Sequence, residues 1–176
     1  MKYFVITAVG EDRPGIVEKV TELLYRLGFN LEDSSMTRLN NEFTIMLIVS
    51  TDKNISVEQL KKEFETLEKE LSLLINIKEI PEEVFNQKKE IGDVYNIVVY
   101  GSDKPGIVYK VAKLLAENGI NIADLKTEKS NDLYVMIIEA EFPEYINIEQ
   151  FNNQLESLKS DLNVDISCEK IESIEI

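Results

Sequence analysis

Gly10-Glu11-Asp12-Arg13-Pro14-Gly15-Ile16-Val17 returns as Gly101-Ser102-Asp103-Lys104-Pro105-Gly106-Ile107-Val108, and the reading of this repeated stretch decides the fold. The offset is about 91 residues, and holding it without gaps sets Gly28-Phe29-Asn30-Leu31 on Gly119-Ile120-Asn121-Ile122 and Asp33 on Asp124. Farther along, Leu60, Phe64, Leu67 and Leu71 fall on Phe151, Leu155, Leu158 and Leu162. Ile75, Ile77 and Ile80 fall on Ile166, Cys168 and Ile171. Roughly a quarter of the aligned positions are identical and they are spread over the whole unit, so the chain is a duplication.

Each copy predicts the same elements. Tyr3 to Val9 is rich in aromatic and β-branched residues and stops at Gly10, which reads as a buried strand, and Val94 to Tyr100 repeats it. Pro14 is expected at or near the first helical position, where its missing N–H costs nothing. Ile16, Val20, Leu23, Leu24 and Leu27 then recur at helical spacing up to Gly28, the expected C-cap. From Phe29 to Leu39 the pattern loosens. After the Asn40-Asn41 turn signal, the alternation Phe43, Ile45, Leu47, Val49 marks a strand with one face buried, copied by Tyr134, Met136, Ile138 and Ala140. Val57, Leu60, Phe64, Leu67 and Leu71 form a second amphipathic helix, and a last strand follows from about Leu74 to Ile80.

The order βαββαβ predicts an α+β fold: a ferredoxin-like sandwich with both helices on one face of a four-stranded antiparallel sheet. The other face is left uncovered, with Thr44, Met46 and Ile48 turned toward it, and such a face suggests a packing partner. The expected organisation is one domain over residues 1–80, a proline-started charged linker over 81–91, and a second domain over 92–176. Cores of this size are marginal alone, so packing on a second copy, in this chain or in a homo-oligomer, is expected.

Composition narrows the function. The chain has 176 residues, 19 basic and 33 acidic, a net charge of -14 and no histidine. Such a field repels phosphate backbones and anionic membranes, so direct nucleic-acid binding is not expected; both halves are acidic, the second more so. Without histidine the usual general base and the commonest transition-metal ligand are missing. No glycine-rich phosphate cradle and no carboxylate cluster at metal spacing appears, so no enzyme activity, cofactor or metal is expected. The single Cys168 reads as a small buried hydrophobe. With no signal peptide and no long apolar run, a cytoplasmic protein is the default.

What remains is the repeated loop. The start of a helix offers N–H groups without intrahelical acceptors and the positive end of a dipole, and Gly15 or Gly106 permits close approach, which suits a carboxylate such as an amino acid carries. Asp12 and Asp103 would receive its ammonium, and Asn30 and Asn121 offer a donor and an acceptor. Arg13 and Lys104 either add positive charge or face water. Equally, the loop is a plain turn into a helix and each asparagine bonds local backbone.

Asp12 to Val17 followed by Gly28-Phe29-Asn30-Leu31, repeated by Asp103 to Val108 and Gly119 to Ile122, resembles the ACT domain, a small-molecule-sensing module of amino-acid metabolism. The likeness covers nearly the whole chain apart from the linker. Ile6 to Gly10, Asn30 to Ser34 and Glu42-Phe43-Thr44 are similar, more narrowly, to the glycine cleavage system transcriptional repressor family, a match carried by the first copy. The resemblance implies a regulator that senses glycine or a similar small amino acid and controls a protein partner, such as a DNA-binding activator, without touching DNA. It implies a ligand at the interface of paired units, held by Asp12, Arg13, Pro14, Gly15, Ile16 and Asn30 and by Asp103, Lys104, Pro105, Gly106, Ile107 and Asn121. Several amino-acid-binding members have Asn where this chain has Asp12 and Asp103. The alternatives are a ligand-independent interaction module and a regulatory subunit of an amino-acid biosynthetic enzyme.

Overall fold

The computed structural model describes residues 1–87, 92–131 and 133–171 and forms two compact units, Met1–Lys88 and Lys89–Ile176. The first unit runs β1 (Lys2–Glu11), α1 (Ile16–Leu27), β2 (Asn30–Leu39), β3 (Glu42–Thr51), α2 (Val57–Leu71), β4 (Leu74–Ile80) and a short α3 (Glu82–Phe85). The second runs β5 (Asp93–Ser102), α4 (Ile107–Glu117), β6 (Asn121–Ser130), β7 (Leu133–Phe142), α5 (Ile148–Leu162) and β8 (Val164–Lys170). The sheets have order β2-β3-β1-β4 and β6-β7-β5-β8, antiparallel throughout. These are the two ferredoxin-like βαββαβ sandwiches the repeat predicts.

Alternation decides which face each strand buries. Phe4, Ile6 and Ala8 of β1 and Phe43, Ile45, Leu47 and Val49 of β3 meet Ile16, Val20 and Leu24 of α1 and Leu60, Phe64, Leu67 and Leu71 of α2 in one core. Both helices therefore cover the same sheet face. The second core repeats this, with Ile97 and Val99 against Val111, Leu115, Phe151 and Leu155. Gly10 is required by space: a Cβ there would lie 2.7 Å from Leu73 Cδ2 and 3.0 Å from the Ser72 carbonyl, where the turn into β4 presses on β1. α1 ends at Gly28, whose φ of 79° lets its N–H reach back to the Leu24 and Tyr25 carbonyls. α2 opens with a reciprocal cap, Gln59 N–H to Ser56 Oγ and Ser56 N–H to Gln59 Oε1.

On the opposite face Met46 is half exposed, Thr44 and Ile48 less so, and exposed Val9 and Leu74 stand in register beside them. That face is not bare at every point. The stretch expected as linker begins with α3, and Phe85 stacks on Tyr3 of β1 with ring centroids 3.9 Å apart. Tyr3 is buried as a result. Residues 88–91 of that stretch lie outside the described residues.

The loosened segment Phe29 to Leu39 is mostly strand: β2, exposed along its whole length, pairs on one side only with β3. Pro14 lies near the first helical position. The helix begins at Ile16 with Gly15 as its N-cap, so Pro14 stands ahead of the helix rather than at its first position. Asn40, at φ 56°, closes the two-residue turn between β2 and β3.

Candidate functional site

The loop between the first strand and the first helix has the same form in both units. Gly15 (φ 93°) and Gly106 (φ 94°) take the left-handed conformation at the N-caps of α1 and α4, and neither helix start receives a side-chain cap. No other atom lies within 4 Å of where a Cβ would sit at either glycine. Glycine is thus demanded by the dihedral, while the space beside it stands open. The N–H groups of the first helical turn, which have no intrahelical acceptors, receive no side-chain cap. In the first unit an open concavity of about 680 Å³ lies here, and Met36, Arg38 and Phe43 line it together with the loop and the start of α1.

Charges around the loop are paired at the same offset in the two units. Arg38 NH1 lies 3.4 Å from Asp12 Oδ2, and Lys129 Nζ lies 2.6 Å from Asp103 Oδ2. Arg13 donates to the Glu70 carbonyl at 3.3 Å and Lys104 to the Leu162 carbonyl at 3.4 Å. Both residues are exposed, yet each cation is engaged by the scaffold. They serve carbonyls at the C-terminal ends of α2 and α5, which lack intrahelical donors. Lys19 pairs with Glu70, and Lys110 with Asp161, again in matching places. Arg38 and Lys129 escaped the sequence reading, although a cation at both copies of one position was a signal that could have found them.

Within one unit the asparagine is not brought to the loop. Gly10 pairs with Phe43 at one end of β3, while Asn30 pairs with Ser50 at the other. Seven residues of strand separate the two ends, about 23 Å at about 3.3 Å per residue. Asn30 Nδ2 donates to Glu32 Oε1 at 3.0 Å, and Ser50 Oγ donates to the same oxygen at 2.5 Å. These two bonds, the Ser50 one first, hold the Glu32 carboxyl below its ordinary range against a weaker desolvation effect. Asn121 Nδ2 donates to Glu141 Oε2 at 2.8 Å. The asparagine bonds a carboxylate in both units rather than local backbone.

Among the described residues no His, Cys, Asp and Glu group is arranged to hold a metal. Cys168 is half-buried, and burial first, with Glu169 second, pushes its thiol up to about 11, so it is no ready nucleophile. No helix among the described residues is long and apolar enough to cross a membrane.

Comparison with known proteins gives the pattern a family. The model of the ACT domain matches residues 2–78 and 96–169. The glycine cleavage system transcriptional repressor of Escherichia coli is 28% identical over 92% of this chain and 86% of its own. A UPF0237 protein of Streptococcus mutans is 42% identical over 42% of this chain and 83% of its own. A crystal structure of an unknown protein from Galdieria sulphuraria superposes with a TM-score of 0.80 at 25% identity, covering 97% of this chain and 99% of that one.

Proposed function

The chain belongs to the ACT-domain family, as two such domains in tandem related to a bacterial transcriptional repressor, and from that premise we propose that it is an amino-acid-sensing regulator. The ligand is glycine or a similarly small amino acid, in keeping with the name of the Escherichia coli relative. One observation carries the reading. The loop persists in both units with an uncapped helix start, a left-handed glycine and open space above it, none of which a plain turn requires.

The site is composite. Since the loop and the asparagine lie at opposite ends of β3, a ligand touching both takes the loop of Asp12, Pro14, Gly15 and Ile16, or of Asp103, Pro105, Gly106 and Ile107, from one molecule. It takes Asn30 or Asn121 from a second molecule of this protein in a homo-oligomer. The ligand carboxylate meets the helix-start N–H groups. The charge that Asp12 and Asp103 bring to the loop does not oppose it, because Arg38 and Lys129 offset them. Arg13 and Lys104 act on the scaffold rather than on the ligand.

A net charge of -14 disfavours contact with DNA, so control passes through a protein partner, for which the open face around Val9, Met46 and Leu74 is the suited surface. Calorimetry tests the sensing. With five heavy atoms glycine has at most about 7.5 kcal/mol to gain, a Kd of a few micromolar at best. Heat should accompany binding of glycine, alanine or serine, and Asn30→Ala with Asn121→Ala should weaken it at least about tenfold. No heat up to millimolar ligand, or unchanged binding in the double variant, would sink the proposed site.

A further inference from the structure

The open sheet faces of the two units differ in charge. Register across the first sheet sets Asp33, Ile48, Val5 and Lys78 in one row, each on a different strand. Asp33 and Lys78, both exposed, put one charge of each sign at the two ends of that row. Met46 and Thr7 lie together in the next row, and Val9 and Thr44 in the one after. In the other direction, Phe85 on Tyr3 bounds the face. The matching row of the second sheet reads Asp124, Glu139, Asn96 and Glu169, and two rows on Glu128 and Asp165 stand at opposite ends. Both faces keep an apolar middle, with Met46 and Ile137 each about half exposed, so apolar area does not tell them apart and charge does.

A contact between two copies of one chain is most often twofold, and a twofold contact sets a surface against itself. Sheets stacked face to face about an axis running along their strands meet with every row turned end for end. On the first unit that operation sets Asp33 against Lys78 of the second copy, twice, with Ile48 on Val5 and Met46 on Thr7 between them. On the second unit it sets Asp124 against Glu169 and Glu128 against Asp165, and like charges so opposed exclude the contact. We infer that the open face of the first unit is a docking surface for the same face of a second copy, and that the open face of the second unit is not. Three rows of four strands cover about 20 by 19 Å, small beside a stable dimer interface, so the pair is weak and exchangeable. This rests on the partner reading above, with the second copy as the occupant that a protein partner replaces.

Sedimentation equilibrium of the full chain, from micromolar to millimolar, tests the pairing. At about 0.15 M salt, where repulsion between the net charges is screened, the parent should associate reversibly. Lys78→Glu should weaken association at least about tenfold, and Asp33→Lys should do the same although it lowers the net charge of the chain. Asp33→Lys with Lys78→Glu restores opposite signs in reversed order and should return association to within about threefold of the parent. Met46→Lys should weaken it, whereas Ile137→Lys, the matching change in the second unit, should leave it unchanged. Thermal melts matching the parent's show that each variant is folded. A parent that stays monomeric, single charge changes without effect, or a double variant no better than the singles overturns the inference. Calorimetry with glycine reads the sensing proposal separately: heat in Lys78→Glu equal to the parent's leaves that proposal standing when the pairing fails.

Discussion

Buried rings occupy different places in the two units although the backbones share one plan. Phe4 meets Phe29 edge-on at 5.8 Å in the first, whereas Phe142 meets Phe151 edge-on at 5.1 Å in the second. Along the second helix the order is inverted: Leu60 then Phe64 in α2, Phe151 then Leu155 in α5, at corresponding positions and all buried. The core needs a leucine's and a phenylalanine's volume between helix and sheet but not in a given order. The Glu32 and Ser50 pair against Ala123 and Glu141, at the same offset, is the polar counterpart of that exchange. Paired changes reveal what is kept collectively, as volume or as one charge. Unpaired identity, as at Gly15 and Gly106, reveals what a single residue must do.

The comparison can be broken most forcefully in the cores. Phe64→Ala and Phe151→Ala each remove a fully buried ring and should each cost about 3–5 kcal/mol in denaturant titration. A large inequality would mean the exchanged positions are not equivalent. Leu60→Phe alone should overpack its site by about 1–3 kcal/mol, and adding Phe64→Leu, which copies the order of α5, should bring the loss below about 1.5 kcal/mol. A double variant worse than the sum of its parts would show that each sheet dictates its own order. The smallest effect concerns Glu32. Because Glu32 is held below its ordinary range, it favours the fold fully above that range and loses this contribution as pH falls through its lowered value. Lowering the pH from about 5 to about 3 should therefore destabilise the parent slightly more than Glu32→Gln, read from denaturation midpoints. Parallel pH curves would count against it.

Legibility followed burial. β3 and both long helices were readable because one face of each is buried, which writes a period into Phe43, Ile45, Leu47 and Val49 or into Leu60, Phe64, Leu67 and Leu71. β2 carries no such period, since no residue from Asn30 to Leu39 is buried and nothing forces alternation on it. α3 is a single turn, too short for periodicity, and its anchoring ring Phe85 finds Tyr3 across the whole unit. At the candidate site, the repeat marks out the loop and the asparagine, but their separation along β3 was not legible, because it follows from strand register. The duty of Arg13 likewise depends on where α2 ends in space.

β2 and β6, each at one edge of its sheet, carry a break in register, between Leu31 and Asp33 in β2 and between Ile122 and Asp124 in β6. A bare edge is a growth front, where an incoming strand can continue the ladder by one rung per residue. A bulge puts the two sides of that front out of step, so a straight strand in register on one side runs out of register on the other. Only a strand shaped for the kink can use the full ten residues, which makes the most exposed part of each unit selective about what it will pair with.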